Sequence, residues 1–282
     1  MDAALHAELI AGLKAGSIVP CLGPGVLEDV VSPPTQVRMP ATSHELILGL
    51  NDGKPMSPKL MYEFSRAAMN IEHKRGRNAV NRFLTRTYAE TPWSRSALHD
   101  WLKEIRPGYV IDINRDTQLL DSYAGLPHYL VQGCARLSGR GYRFHLYISD
   151  GTAYTRIEPE EAAQDLPVLF KPLGTPLPVP RYIASDADYV DYITELMGGF
   201  GVPAFVKTLR RGKRYLFIGL RLSRDTERMV MDDIIYGAAP DAGWAFLPEP
   251  TAKERKFLAR HNITLIEDDF RALMEEPESL AC

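Results

Sequence analysis

Short apolar runs recur along this 282-residue chain with helical patterns between them, and that alternation constrains the fold more than any other feature. The runs read "SIVPCL", "GYVIDI", "HYLVQG", "PVLFK", "RYLFIGL", "GWAFL" and "ITLIE". Helical spacing fills Asp186 to Met197, Pro203 to Arg210, Asp225 to Tyr236 and "TAKERKFLARHN". Strands separated by helices cannot pair through tight turns, so they pair in parallel and carry helices over both faces. The expected fold class is therefore α/β, a Rossmann-like, mostly parallel sheet with helices on both faces. One stretch departs from this pattern: "YRFHLYISDGTAYTRI" alternates around Asp150-Gly151 and predicts an antiparallel hairpin.

Residues from about 57 to 105 interrupt the alternation. The spacing is helical from Ser57 to about Tyr88, with a break at Gly76, and again from Ser94 to Ile105, where Leu98, Trp101, Leu102 and Ile105 share a face. This segment is expected as a helical insertion or lid within one domain spanning 1–282. At 45% hydrophobic residues the chain can bury a large core. A net charge of −3 gives no reason to expect bulk nucleic-acid binding. No apolar run reaches the roughly 18 residues that would span a bilayer, so no membrane partner is expected. Cys21, Cys134 and Cys282 lie too far apart to hold zinc as a CxxC pair. An odd count without a secretory signal suits a reducing cytoplasm, with Cys21 and Cys134 as small buried hydrophobes and Cys282 exposed.

Ligands of open α/β sheets sit beyond the carboxyl ends of the strands. The residues there are Gly23 to Gly25, Asn114 to Asp116, Lys171 to Thr175, Gly219 to Ser223, and Asp268-Asp269. Gly23 and Gly25 remove two side chains where a strand turns, which either exposes backbone amides to a pyrophosphate or simply makes a tight turn. The Asn114 amide can donate to and accept from a ribose hydroxyl or a carboxamide, and Asp116 can accept. Either could instead cap the helix "TQLLDSY". Arg221 could meet a phosphate bidentately. Ser223 could bond a ribose hydroxyl or cap the next helix. "RRGKR", Arg210 to Arg214, reads as a solvated basic turn or as a docking point for a partner or phosphate.

Taken in order, these strand ends resemble the sirtuin-like family, especially its bacterial branch without a zinc module. "IVPCLGPGV" stands where that branch has a Gly-Ala-Gly loop, and "DINRD" where it has Thr-x-Asn-x-Asp. "FKPLGT" stands for Lys-x-His-Gly-Ser, "DADYVDYITEL" for a Ser/Asp-x-x-Tyr helix, and "YLFIGLRLSRDTERMV" for Phe-x-Gly-Tyr-Ser-Leu-x-Asp. "HNITLIEDD" resembles the closing strand, so the resemblance runs from roughly Leu5 to Asp269. It implies a nucleotide ligand (NAD, NADH or ADP-ribose) held by Gly23, Pro24, Gly25 and Val26, by Leu173 and Gly174, and by Gly219, Arg221, Ser223 and Asp268. It implies that Asn114 and Asp116 serve both binding and catalysis.

The departures bear on chemistry. The catalytic His of the family falls on Leu173, its Thr on Asp112, the Ser of Gly-Tyr-Ser on Arg221, and Pro24 replaces the Ala of the loop. No zinc cysteines are present, so no metal and no zinc-supported deacetylase is expected. Cleaving the nicotinamide–ribose bond needs a base, worth about 10²- to 10⁴-fold. Asp112, Asp116, His128 and His145 are candidates by residue type alone. The expected function is nucleotide binding with degenerate catalysis, in a sensor or regulatory role that a protein partner or a second copy could share. The alternative is an NAD hydrolase with another base. A Rossmann dehydrogenase is disfavoured, because the third fingerprint Gly is missing and the ribose-binding acid would fall in a Pro-rich loop.

Overall fold

A computed structural model describes residues 1–137, 142–162, 165–197 and 201–275; Cys282 lies outside them. Helix α1 (Ala3–Ala15) begins where Asp2 accepts the Leu5 N–H and ends at Gly16, whose φ of 69° is the left-handed cap glycine favours. Strand β1 (Ile18–Leu22) follows, buried at every residue. The chain continues through α2 (Ser43–Leu50), α3 (Pro58–Met61), α4 (Phe64–Arg75), α5 (Arg77–Thr85) and α6 (Ala97–Ile105). Next come β2 (Tyr109–Asp112), α7 (Gln118–Ser122), β3 (His128–Gly133), β4 (Phe144–Ser149), β5 (Tyr154–Ile157) and β6 (Val168–Lys171). A two-stranded pair, β7 (Gly174–Thr175) and β8 (Arg181–Tyr182), precedes α8 (Asp186–Met197) and α9 (Ala204–Leu209). The chain closes with β9 (Arg214–Ile218), α10 (Asp225–Ile234), β10 (Gly243–Phe246), α11 (Ala252–Arg260) and β11 (Ile263–Ile266).

Nine strands form one sheet in the order β11-β10-β9-β1-β2-β6-β3-β4-β5. Every pair from β11 to β3 is parallel, and β4 and β5 add the antiparallel hairpin expected around Asp150-Gly151. The fold is thus the α/β, Rossmann-like class. Strand β1 lies between β2 and β9, so chain crossovers leave it in opposite directions and open a crevice at its carboxyl end.

Successive strand residues point to opposite faces, and each face meets its own apolar layer. Ile18, Leu22, Val110, Leu130 and Leu216 pack under Leu9 and Leu13 of α1 and Leu98 and Leu102 of α6. Val19, Cys21, Ile111, Phe170 and Phe217 pack against Tyr192 of α8, Val230 and Ile234 of α10, and Leu258 of α11. Each such side chain contributes about 1.5–3 kcal/mol when fully buried. Cys21 and Cys134 are buried within the fold, and burial raises both thiols, Cys134 to about 11. Among the described residues no helix is long and apolar enough to cross a membrane.

Within the segment from about 57 to 105, α3, α4 and α5 pack on one another and on α2, and α6 packs against α1 and α7. In the basic cluster Arg210 to Arg214, Arg211 and Gly212 are exposed at the turn, and the other side chains are engaged. Arg210 is buried against Asp233, Lys213 Nζ bonds the Gly16 carbonyl at 2.6 Å, and Arg214 pairs with Glu8 and lies over Trp244 at 4.7 Å. These side chains clamp α1, α9 and α10 together.

At the carboxyl edge of the sheet, Lys171 Nζ lies 2.6 Å from Asp112 Oδ2 with both side chains fully buried. Burial pushes the Asp112 carboxyl above its ordinary range, and the Lys171 ammonium opposes that rise. Lys171→Met would strand a buried carboxylate and is expected to cost about 3–5 kcal/mol in urea denaturation, with most of the loss recovered on adding Asp112→Asn.

Candidate functional site

Two neighbouring chambers lie at the crevice. The outer one, about 400 Å³, lies over the ends of β1, β9 and β10 and is lined by Pro24, Gly25, Gly219, Arg221, Ser223, Arg224 and Phe246, among others. The inner one, about 50 Å³, is lined by Glu63, Phe64, Asn114, Arg115, Leu173, Tyr189 and Glu227 with their neighbours. Pro24, Ser43 and Glu227 border both.

The Gly-Pro-Gly loop is built by contact with β9. Gly23 N–H donates to Ile218 O at 2.9 Å and Gly25 N–H to Gly219 O at 2.8 Å. A Cβ on Gly25 would stand 2.9 Å from the Gly219 Cα, and one on Gly23 2.7 Å from the Gly219 carbonyl oxygen. Gly219 has φ +67°, and a Cβ there would meet the Val26 amide at 2.6 Å. The tight-turn reading thus accounts for both glycines, and the two amides expected to face a pyrophosphate already donate within the protein. Val26 is core, 1% exposed. Of this loop, Pro24 and Gly25 reach the outer chamber.

Asn114 holds the next position. Its main-chain N–H donates to Asp112 Oδ1 at 2.9 Å, and its Nδ2 donates to Gly23 O at 3.0 Å. The side chain therefore bridges β2 to the β1 loop at the inner chamber wall, and among the described residues its Oδ1 accepts no hydrogen bond. Asp116 does not share that place. Its Oδ1 accepts the Gln118 N–H at 2.8 Å, the turn that starts α7, and its Oδ2 is buried without a partner. The capping role fits Asp116 rather than Asn114. Arg115, between them, was not legible as a site residue: its guanidinium bonds Ile183 O at 2.6 and 2.9 Å and the Tyr189 hydroxyl at 3.1 Å.

Leu173 is 6% exposed and forms part of the inner wall beside Asn114. Gly174 is a turn glycine at φ +84°, where a Cβ would meet Arg181 O at 2.0 Å, and it lines neither chamber. Arg221 is exposed on the outer wall, with Nη1 3.3 Å from Glu249 O, and Ser223 lies beside it. Ser223 is not the cap of α10, which falls on Arg224. Asp268 is spent on the Met1 amino group at 2.8 Å; Asp269 lines the outer chamber instead and pairs with Arg271 at 2.7 Å.

The bases proposed by residue type are placed elsewhere. Asp112 is sealed against Lys171. His128, at the opposite end of β3, contacts Leu126 O at 2.7 Å and the Tyr154 hydroxyl at 2.8 Å, and burial lowers its pKa. His145 lies against Tyr147 on β4, its pKa lowered to about 4 by burial and by Arg181 and Arg156. The titratable pair that does line the inner chamber, Glu63 and Glu227, had no sequence signal beyond lying at helix starts. Among the described residues no group of three or more His, Cys, Asp or Glu could hold a metal.

Gly25→Val is expected to destabilise the protein by about 1–3 kcal/mol, because its branched side chain would meet the Gly219 backbone. An unchanged urea midpoint would assign the missing side chain to ligand access instead.

Residues 128–266, from the first residue of β3 to the last of β11, match the family model of the SIR2-like domain. The β1 loop and Asn114 precede the matched stretch. No curated protein matches the chain. The second half of this Rossmann-like parallel sheet is thus similar to the SIR2-like domain.

Proposed function

We propose that the crevice binds NAD or an ADP-ribose derivative and, at neutral pH, holds it without hydrolysis, in a sensor or regulatory role. The observation that carries this reading is Leu173 on the inner chamber wall beside Asn114. The position where the family resemblance puts an imidazole carries an isobutyl group, which neither accepts nor donates a proton. A volume of about 400 Å³ in the outer chamber falls within the ordinary range for small-molecule sites. Arg221, Ser223 and the exposed rim of the β9 loop offer donors there, and Phe246 and Phe270 offer apolar faces. The hydrolase reading would need a base in the inner chamber; Asp112, Asp116, His128 and His145 do not line it, and the carboxyl groups that do are Glu63 and Glu227.

Calorimetric titration with NAD, NADH and ADP-ribose tests the binding; no heat with any of them at about millimolar concentration, the weak end of useful affinity, would overturn it. Arg221→Ala should weaken binding by about tenfold, the low end for a hydrogen bond to a charged group at an open wall, with Arg221→Lys recovering part. Purified protein incubated with NAD at neutral pH should release no nicotinamide, and Leu173→His is the variant in which slow release would emerge. Robust turnover by the unaltered chain would favour the hydrolase.

A further inference from the structure

We propose that the groove between α2, α4 and α5 is a second ligand site, separate from the crevice, for a small phosphomonoester that carries a flat apolar ring and a free hydroxyl. That is the chemistry of a nucleoside monophosphate. The site stands on its own residues and does not depend on what the crevice binds.

The groove has a volume of about 700 Å³, more than the outer chamber and within the ordinary range for small-molecule sites. None of the residues that line it borders either chamber of the crevice. Its polar wall is one stripe of α5 and the turn that follows. Asn78, Arg82 and Arg86 come at intervals of four, with Asn81 and Thr85 beside them, so all five project to one side of the helix. Arg75, the last residue of α4, adds a third guanidinium. The floor is apolar and built from Leu50, Ile71 and Phe83. A Cβ on Gly49 would stand 3.0 Å from the Phe83 ring, so the bare glycine lets that ring lie against α2.

Arg82 and Arg86 are exposed, and among the described residues neither guanidinium forms an ion pair or a hydrogen bond. Like charges four residues apart on a helix repel each other. A phosphoryl group between them relieves that repulsion, because each guanidinium presents a fork of N–H donors that matches its oxygens. Two carboxylates also line the groove, Asp52 and Glu90, and neither pairs with Arg82 or Arg86. Asp52 lies 3.8 Å from Arg75 with both side chains largely exposed, a contact that yields at little cost. Three guanidiniums against two carboxylates leave the lining net positive.

Asn81 Oδ1 is buried without a partner, one residue before Arg82. An unmatched buried carbonyl oxygen is costly, and a hydroxyl that donates to it removes the cost. A bare phosphate brings neither that hydroxyl, once its oxygens face the arginines, nor anything to cover the apolar floor. A phosphorylated sugar brings the hydroxyl without the ring. A nucleoside monophosphate brings all three parts.

Calorimetry at about 0.15 M salt, where attraction between exposed charges alone is screened, tests the site with AMP, adenosine, glucose 6-phosphate and inorganic phosphate. AMP should bind with a Kd below about 1 mM, and the other three at least about tenfold more weakly. Arg82→Ala and Arg86→Ala should each weaken AMP about tenfold, with Arg82→Lys recovering part. Both positions are exposed, so the urea midpoint should stay in place. AMP without its ribose hydroxyls should lose about tenfold against the unaltered chain and nothing against Asn81→Ala. No binding of AMP would overturn the site. AMP binding that survives the Arg82→Ala, Arg86→Ala double variant and is lost in Arg221→Ala would also overturn it, by placing the probe in the crevice. Equal affinity for AMP and inorganic phosphate would overturn the ligand class. Failure of NAD to bind the crevice would leave the groove site standing.

Discussion

The Lys171 ammonium and the Asp112 carboxylate meet with no water between them, one at the end of β6 and the other at the end of β2. Burying two charges costs several kcal/mol each, and only close geometry with further hydrogen bonds offsets it. The second oxygen of Asp112 supplies that by accepting the Asn114 N–H, and the Asn114 side chain passes the constraint to Gly23 O. Gly23 and Gly25 in turn donate to β9. A transverse line of polar contacts thus ties β6, β2, β1 and β9 together where the sheet meets the crevice. The register of the inner chamber follows from it.

Leu173 lies only two residues beyond Lys171, so the anchor that orients the strand end also fixes which side chain faces the chamber. In this chain that side chain is apolar, and the polar character of the chamber comes from Glu63 and Glu227 on the opposite wall. The carboxyl groups that line it stand at the starts of two helices, α4 and α10. A sheet-borne group is held rigidly by its neighbours, whereas one at the start of α4 moves whenever that helix does.

Much of this was legible in the chain itself. Periodicity located the strands of the parallel sheet, the hairpin at Gly151 and the break at Gly76, because both the period of two and the period of 3.6 are written in the spacing of apolar residues. The strand ends likewise identified Asn114 and Leu173. What spacing cannot carry is direction. "NRD" contains two equivalent-looking acceptors, yet only Asn114 faces the chamber while Asp116 turns under α7. Asp268 and Asp269 are adjacent, and only the second reaches the crevice. The basic run at Arg210 reads as solvent-exposed until its partners Asp233, Gly16 and Glu8, far off in sequence, come into place. Glu63 and Glu227 lie 164 positions apart, and only the tertiary structure brings them to one wall.

The sheet ends on both sides in strands of four residues, β11 at one edge and β5 at the other. An outermost strand offers unpaired amides and carbonyls to any extended chain that drifts past. β5 presents Thr155 and Arg156 to solvent there, and β11 presents Thr264. So brief a template, interrupted by a guanidinium, gives a passing strand few bonds to gain and a charge to desolvate. At the β5 margin of this broad sheet, that desolvation cost works against templated pairing.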